Sequence, residues 1–327
     1  MLDAMAVLEL LSLLVSIAVL AKAANLVVEN AVRLSNFFGI SKLAIGFLLI
    51  AVLTSLPELS VSVISSVHGE GAVAAGTVFG SNIANTLLIL GLGTFLYGIK
   101  IERDYMKEIA LVILLTTVIS AYIIFNTILG AKALGFVEGI ILLGIFLWYA
   151  FYSLRRKPRI GKANCDINRS QALHAFLIFT AAIILVLISS SFVVDNAIKL
   201  ARIFNIAESF IGATIIAIGT SLPELSIGMA AIRKKQYGLA LGDAVGSNAI
   251  NLTLVLGMAA VLNPVTVILP IFIAALLFAI VANMILFYVT AVMPKLDRRG
   301  GLGFLLIYVL YIVVIFYMQS RELGVGL

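Results

Sequence analysis

The sequence predicts an all-α membrane protein with ten transmembrane helices, arranged as two inverted repeats of five helices each. Three observations lead to this prediction. The chain of 327 residues is 62% hydrophobic and only 12% charged, whereas soluble domains carry about 25% charged residues. Apolar segments of about 20 residues, the length that crosses a bilayer, recur along the whole chain. Finally, one half of the sequence resembles the other at a constant spacing, without insertions or deletions between the matching segments.

The apolar segments define the ten helices in order. A helix rises about 1.5 Å per residue, so each segment is long enough to cross the hydrocarbon core. The first one lacks the basic region and cleavage site of a signal peptide, and we interpret it as a retained span. The spans are predicted at residues 5–26, 43–66, 71–98, 108–128, 132–153, 172–194, 209–231, 238–262, 266–292 and 302–319.

The internal repeat indicates how the two halves are related. Residues 45–62 match residues 211–228 at 11 of 18 positions, and residues 76–91 match residues 242–257 at 8 of 16, without a gap. Because each half holds an odd number of spans, the second half must enter the membrane from the opposite side. Inverted repeats of this kind place binding sites near the membrane midplane, where the two halves meet.

The basic residues predict the orientation of the chain. Of its 22 Lys and Arg residues, 17 fall on one side of the membrane in this topology. The positive-inside rule makes that side the cytoplasm, which puts both termini outside the cell membrane. These loops account for the net charge of +6, so we expect a lipid bilayer around the chain, no nucleic acid and no protein partner. The chain then divides into a first repeat at 1–154, a cytoplasmic linker at 155–170 and a second repeat at 171–327.

The second and seventh spans each contain the sequence Thr-Ser-Leu-Pro-Glu, which ends at Glu58 and Glu224. A charged side chain near the bilayer centre costs about 2.5–3.5 kcal/mol on insertion scales, so acids there usually face the protein interior and handle ions or protons. Pro57 and Pro223 remove a backbone donor, which should break both helices and free carbonyl groups. Freed carbonyls in a membrane are tolerated where they line a cavity, and there they can bind cations. A single copy would fit a simple kink, but two copies in equivalent positions favour an ion site.

Hydroxyl groups accompany the two glutamates, because Thr54, Ser55, Thr220 and Ser221 come shortly before them in the sequence. No thiol or imidazole lies nearby in the sequence. Hydroxyl, carbonyl and carboxylate oxygens together form a hard-ligand set that suits Ca²⁺ or Na⁺ rather than zinc or copper.

A polar stripe follows one face of the third span, and the eighth span repeats it. Residues four apart share a helix face. The stripe consists of Thr77, Ser81 and Asn85 in the third span and of Asp243, Ser247 and Asn251 in the eighth. Glycines at positions 76, 80, 242 and 246 have the same spacing, which predicts close helix packing. Such packing would bring the stripes against the broken helices.

These motifs resemble the alpha repeats of the calcium/cation antiporter superfamily, in particular its prokaryotic sodium/calcium exchangers. The resemblance covers nearly the whole chain and both motifs. It implies two inverted five-helix repeats with broken helices 2 and 7 at the centre. It also implies a secondary active antiporter, not an enzyme, that exchanges Na⁺ for Ca²⁺ by alternating access. Ca²⁺ and Na⁺ are then its substrates, and no cofactor is expected.

The resemblance further implies roles for individual residues. Ca²⁺ is bound by Glu58 and Glu224 with the carbonyls of Thr54 and Thr220. Na⁺ is bound by the same glutamates together with hydroxyls and further carbonyls, and two amides complete the central site. The hydroxyls belong to Ser55, Ser81, Ser221 and Ser247, the carbonyls to Ala51 and Ala217, and the amides to Asn85 and Asn251.

One acid departs from the pattern of the superfamily. Many relatives carry an aspartate at the position of Asn251, whereas here the additional acid is Asp243, two turns earlier. The missing aspartate argues against a dependence on potassium. Asp243 is interpreted as a cation relay on the cytoplasmic approach to the site. The alternative is an ion pair or helix-start interaction with the basic loop at residues 233–235.

Three other functions are consistent with parts of the sequence. Proton/calcium exchange is the nearest alternative, because carboxylates in a partly dry site can carry protons, although the Gly-Asn-x-x-Glu signature of that branch is not found. A passive channel would use rings of residues from several subunits. An intramembrane aspartyl protease would need a second catalytic aspartate beside Asp243.

Overall fold

The chain folds into eleven helices within residues 4–101, 103–128, 133–155, 168–203, 219–266, 269–292 and 295–322, which the computed structural model describes. They are α1 (Ala4–Phe38), α2 (Lys42–Thr54), α3 (Leu56–Val67), α4 (Gly71–Tyr97), α5 (Arg103–Ile128), α6 (Phe136–Arg155), α7 (Arg169–Ile203), α8 (Leu222–Arg233), α9 (Tyr237–Leu262), α10 (Leu269–Val292) and α11 (Arg298–Glu322).

The helices have the lengths and composition of membrane spans. Seven of the described helices are long and apolar enough to cross a bilayer, and α2 and α3 form an eighth, broken span bent by 46°. Helix α10 adds a shorter apolar stretch at Ile273–Val289. Nine of the ten predicted spans therefore have a helical counterpart. The seventh, predicted at 209–231, is described only from residue 219 onward, where it includes α8.

Helices α1 and α7 extend well beyond the spans predicted for them, and two asparagines of α1 donate to carbonyls of their own helix. The Asn25 amide donates to the Ala21 carbonyl, and the Asn30 amide donates to the Leu26 carbonyl, each at 2.8 Å. Such bonds satisfy a polar side chain without a partner helix. The two long helices pack against each other along much of their length.

Four two-residue strands connect helix ends, a feature that the all-α prediction lacked. Strand β1 (Ile99–Lys100) pairs antiparallel with β4 (Lys295–Leu296), and β2 (Ala133–Leu134) pairs antiparallel with β3 (Val265–Thr266). Strands β1 and β3 occupy equivalent positions in the two halves of the sequence. Two residues are too few to show the alternating pattern by which strands are predicted.

Helix α9 runs antiparallel to α4 in the centre of the molecule. The Ser66 hydroxyl at the end of α3 donates to the Ala259 carbonyl at 2.6 Å, and the Asn263 amide donates to the Ser66 carbonyl at 3.0 Å. Because α4 begins just after α3, it begins where α9 ends. The two strand pairs, which follow α4 and α9, therefore lie at opposite ends of the bundle.

The predicted linker at 155–170 lies between the end of α6 at Arg155 and the start of α7 at Arg169. Residues 156–167 are outside the described part of the chain. The division into two repeats and a linker stays a prediction.

Candidate ion-binding site

Both copies of Thr-Ser-Leu-Pro-Glu lie where a helix begins. Ser55 separates α2 from α3 with φ −79° and ψ 6°, and Ser221 precedes α8 with φ −93° and ψ 10°. Pro57 and Pro223 fall in the first turn of the new helix, where a missing N–H is tolerated because it has no intrahelical acceptor. The 46° bend at Ser55 confirms the break predicted in the second span. In the second copy, the residues before Gly219 lie outside the described part of the chain, so a bend in the seventh span stays a prediction.

The two glutamates point into the protein. Glu58 is 1% exposed and Glu224 is 2% exposed. Each lies in the first turn of its helix, where the partial positive charge of the helix N-terminus favours a carboxylate. Lipid-facing residues of a membrane helix would be exposed in the isolated chain, so both carboxylates face other helices.

Hydroxyl groups connect the two copies of the motif. The Ser81 hydroxyl on α4 donates to Glu58 Oε1 at 3.2 Å, and the Ser221 hydroxyl donates to Ser81 Oγ at 3.4 Å. The Ser81 hydroxyl therefore lies between Glu58 of the first copy and Ser221 of the second. Side chains that are far apart in the sequence therefore form one buried polar cluster.

Asp243 belongs to the same cluster. It is 1% exposed, and the Thr54 hydroxyl lies 3.5 Å from its Oδ1. Its carboxyl also interacts electrostatically with that of Glu224. As the seventh residue of α9, Asp243 lies past the first turn, within which the helix dipole acts. The helix-start interpretation is therefore wrong, and Lys234 of the basic loop pairs with Glu29 on α1 instead.

Glycines set the distance between α9 and α2. A Cβ atom on Gly242 would lie 2.3 Å from the Leu43 carbonyl oxygen, and one on Gly246 would lie 2.6 Å from the Phe47 ring. From the other side, a Cβ on Gly46 would lie 3.0 Å from the Asp243 amide nitrogen. Contacts this close are possible only without side chains. The packing predicted for Gly242 and Gly246 is confirmed, and it brings Asp243 against α2.

The equivalent glycines on α4, Gly76 and Gly80, have no such close contacts with described atoms. No described atom lies within 4 Å of a Cβ placed on Gly76, and only the Tyr311 hydroxyl, at 3.9 Å, is near one on Gly80. Thr77, which corresponds to Asp243, is half-buried and donates to the carbonyl of Val73 in its own helix at 2.9 Å. The segment that the repeat predicts to pack on Gly76 and Gly80, residues 209–217, lies outside the described part of the chain, so close packing through these two glycines stays a prediction.

Four asparagines meet between α4 and α9. The Asn85 amide nitrogen donates to Asn248 Oδ1 at 3.2 Å, and the Asn251 amide nitrogen donates to Asn82 Oδ1 at 3.1 Å. All four are at most 5% exposed. Asn82 and Asn248 were not among the predicted site residues. The sequence could have indicated them, because both belong to the Gly-Ser-Asn segment that recurs in each half. They were not predicted because they do not share the four-residue spacing of the polar stripe.

Three π-helical segments in the described part of the chain lie beside these residues. They are Gly46–Ala51 in α2, Ala84–Ile89 in α4 and Asn251–Val255 in α9. A π turn is wider than an α turn, shifts the side chains that follow around the axis, and often marks functional sites. Asn85 and Asn251 lie within the segments of α4 and α9. The sequence pattern did not indicate them, because hydrophobic periodicity assumes 3.6 residues per turn.

Within the described part of the chain, six buried oxygens of the two Thr-Ser-Leu-Pro-Glu copies and the two polar stripes have no hydrogen-bond partner. Buried polar atoms are nearly always paired, so each unpaired one requires an explanation. The six are Ser55 Oγ, Glu58 Oε2, Asn85 Oδ1, Glu224 Oε2, Ser247 Oγ and Asn251 Oδ1. Carboxylate, amide and hydroxyl oxygens are the ligands preferred by hard cations such as Ca²⁺. The donor set therefore fits an oxygen-coordinated cation.

Acidic side chains alone do not form this cluster. Among the described residues, no group of three or more His, Cys, Asp or Glu side chains is placed to hold a metal ion. A cation bound here would depend on hydroxyl, amide and carbonyl oxygens as well. This agrees with the mixed oxygen set that the sequence indicates.

The remaining predicted residues occupy different positions. The Ala51 carbonyl is buried and already accepts from the Ser55 amide at 3.1 Å and the Thr54 hydroxyl at 3.3 Å. Thr220 is half-buried at the start of the second copy. Ala217 lies outside the described residues.

Comparison with known proteins identifies the family. The sequence profile described as "Sodium/calcium exchanger protein" matches residues 8–155 and 174–317, most of the chain. The chain belongs to the sodium/calcium exchanger family. This assignment agrees with the buried oxygen cluster and makes the protein a membrane antiporter of Ca²⁺ and other cations, not an enzyme.

Individual relatives of this exchanger family are similar over most of the chain. The inner membrane protein YrbG of Escherichia coli is 34% identical over 77% of this chain and 79% of its own length. The sodium/calcium exchanger MaX1 of Methanosarcina acetivorans is 28% identical over 94% and 98%. A solved structure of the sodium-calcium exchanger NCX_Mj superposes with a TM-score of 0.81 at 25% identity, covering 94% of this chain and 99% of that one.

Proposed function

We propose that this protein exchanges Na⁺ for Ca²⁺ across the cell membrane by alternating access at the buried oxygen cluster. The observation that carries the proposal is the pair of buried glutamates, Glu58 and Glu224, at equivalent helix starts with one unpaired oxygen each. The similarity to MaX1 and NCX_Mj, both named as sodium/calcium exchangers, supports it.

Coupling follows from competition for shared ligands. Two carboxylates balance one Ca²⁺, or are shared among Na⁺ ions that hydroxyls and carbonyls also bind, so that one kind of cation excludes the other. We assign Ca²⁺ to the glutamates with the carbonyls of Thr54 and Thr220. The Na⁺ ligands are the same glutamates with Ser55, Ser81, Ser221, Ser247 and the carbonyls of Ala51 and Ala217, while Asn85 and Asn251 complete the central site.

The architecture in this proposal is ten spans in two inverted repeats, at residues 1–154 and 171–327, joined by a cytoplasmic linker. Several features at equivalent positions of the two halves support it, among them the breaks at Ser55 and Ser221 and the strands β1 and β3. The positions of these two strands at opposite ends of the bundle agree with an inverted relation. Both termini are then outside the cell.

Access to the site is proposed to change through movement of α1 and α7. Helix α1 packs on α8, and Lys234 pairs with Glu29 and donates to the Asn25 carbonyl at 3.3 Å. The equivalents of Lys234 and Glu29 are His68 and Asp195, both exposed and not joined by an ion pair in the described residues. A contact formed in one repeat and open in the other supports a state closed on the side of Lys234, the cytoplasmic side in this topology.

The coupling ion is tested by ⁴⁵Ca²⁺ uptake into proteoliposomes that contain the purified protein. We expect uptake when the vesicles are loaded with Na⁺ and diluted into Na⁺-free buffer at equal pH, because outward Na⁺ flow drives Ca²⁺ inward. An imposed pH gradient without Na⁺ is expected to drive little uptake. Uptake driven by the pH gradient alone would instead establish proton/calcium exchange.

Asp243 is proposed to assist cations on their way to the site. Its burial and its contact with Thr54, whose carbonyl is a proposed Ca²⁺ ligand, support a role at the site and not in the loop. We expect Asp243→Asn to lower the apparent Ca²⁺ affinity about 3- to 10-fold, since removal of a nearby charge weakens binding by about 1 kcal/mol. Unchanged affinity and an unchanged exchange rate would eliminate this role, and Asp297→Asn in the exposed loop before α11 is the matched control.

A further inference from the structure

Asn82 and Asn248 form the outer part of the asparagine cluster. They occupy the same position in each repeat and are 5% and 4% exposed. Each accepts a hydrogen bond from an asparagine of the other helix, Asn251 or Asn85. The two bonds are equivalent under the internal repeat, so the same arrangement occurs twice between α4 and α9.

The outer amides are themselves held in one orientation. The Asn82 amide nitrogen donates to the Asn248 backbone carbonyl at 3.1 Å, and the Asn248 amide nitrogen donates to Thr86 Oγ1 at 2.8 Å. A reversed Asn82 amide would place its oxygen against that carbonyl oxygen, and two acceptors repel. Asn82 is therefore fixed with its Oδ1 toward Asn251, and Asn248 has the same orientation toward Asn85 in the structure.

The inner amides are oriented as a consequence. The oxygen and nitrogen of an amide lie on opposite branches of the same carbon, so a nitrogen directed at Oδ1 of an outer asparagine turns the oxygen the other way. Asn85 Oδ1 and Asn251 Oδ1 are both buried and have no partner. Only the oxygen of an amide can bind a cation, because its NH₂ group is a donor.

We propose that Asn82 and Asn248 are positioning residues that keep the amide oxygens of Asn85 and Asn251 directed at the transported cation. They do not bind the cation themselves. This inference rests on the proposed function, because it takes Asn85 and Asn251 as ligands of the central site. It adds the reason why an amide, which could turn either end toward the ion, works as a ligand there.

The test compares two backgrounds for the same substitution, with equilibrium ⁴⁵Ca²⁺ binding to the purified protein as the measurement. Asn248→Leu removes the acceptor at similar volume and lets the Asn85 amide reverse. We expect about a 10-fold loss of Ca²⁺ affinity, which corresponds to about 1.4 kcal/mol. In the Asn85→Asp background, where both branches end in oxygen, the same substitution should cost less than about 3-fold.

A purely structural role gives a different result. Loss of packing would lower affinity equally in both backgrounds, because sites without specific coupling behave additively, and such a result would overturn the proposal. Asn283→Leu serves as the control, since Asn283 is a buried amide that bonds to Thr116 far from the site in sequence; its effect should be the same in both backgrounds.

The equivalent pair keeps the proposal testable if Asn248→Leu does not fold. Asn82→Leu is then compared in the parent and in the Asn251→Asp background, with the same expectation. Unchanged Ca²⁺ affinity in Asn85→Ala and Asn251→Ala would also overturn the inference, because there would be no ligand to orient. Na⁺-driven uptake in the parent protein would still support the proposed function in that case, so the two failures are distinguishable.

Discussion

Glu58→Gln and Glu224→Gln are each expected to lower Na⁺-driven Ca²⁺ uptake at least about 100-fold, which corresponds to about 2.7 kcal/mol. Glutamine keeps the volume and one oxygen of glutamate but removes the negative charge. Only one of the two carboxylate ligands is then left to bind the divalent cation, and the low dielectric of the interior increases the effect of the lost charge. Initial rates of ⁴⁵Ca²⁺ uptake into Na⁺-loaded proteoliposomes measure it.

The two substitutions should have effects of similar size, because both glutamates are buried at the first turn of equivalent helices. Glu70→Gln is the matched control, since Glu70 is exposed before α4 and should have nearly parental uptake. Exchange at more than a tenth of the parental rate in either variant would contradict the assignment of the glutamates as the shared ligands.

Gly242→Ala is expected to destabilise the protein by about 1–3 kcal/mol or more, the usual range for an overpacked core. The new methyl group would lie 2.3 Å from the Leu43 carbonyl oxygen, so α2 and α9 would have to separate. Because the obstacle is backbone and not a flexible side chain, the shift would involve whole helices. Thermal unfolding in detergent measures the change in stability, with loss of the monodisperse peak as the signal.

Gly144→Ala is the control for this prediction, because no described atom lies within 4 Å of a Cβ at that position of α6. Alanine in an open helix position stabilises by up to about 1 kcal/mol relative to glycine, so the control should have the opposite sign. If Gly242→Ala proved as stable as the parent, the close approach of α9 to α2 would be incorrect. Separation of these helices should also lower Ca²⁺ affinity, because Thr54 would move away from Asp243.

Much of the site was predictable from the sequence because intramembrane acids and prolines are rare and therefore informative. Glu58 and Glu224 identified the cluster, and Pro57 identified the break that the structure places at Ser55. The four-residue spacing placed Ser81, Asn85 and their equivalents on one face, and all of them are buried. These inferences depend on local chemistry and on identity between the halves, both of which a single sequence contains.

Other features depend on which helices meet, and sequence periodicity does not specify that. Thr77 and Asp243 occupy equivalent positions, yet Asp243 is buried where α9 packs closely on α2, whereas Thr77 is half-buried and bonds within its own helix. Asn82 and Asn248 face each other's helices, which is visible only once α4 and α9 are in contact. The ion pair between Lys234 and Glu29 also depends on which helices meet, because the two residues lie in different halves of the sequence.

The strand pairs have a mechanical consequence. Pairing of β1 with β4 fastens the end of α4 to the start of α11, and pairing of β2 with β3 fastens the start of α6 to the end of α9. Neither strand pair includes α1 or α7. In the described part of the chain, these two helices are held mainly by side-chain packing against each other and against α8. In the proposed exchange cycle, a joint movement of these two helices over the rest of the bundle would break no backbone hydrogen bond in either strand pair.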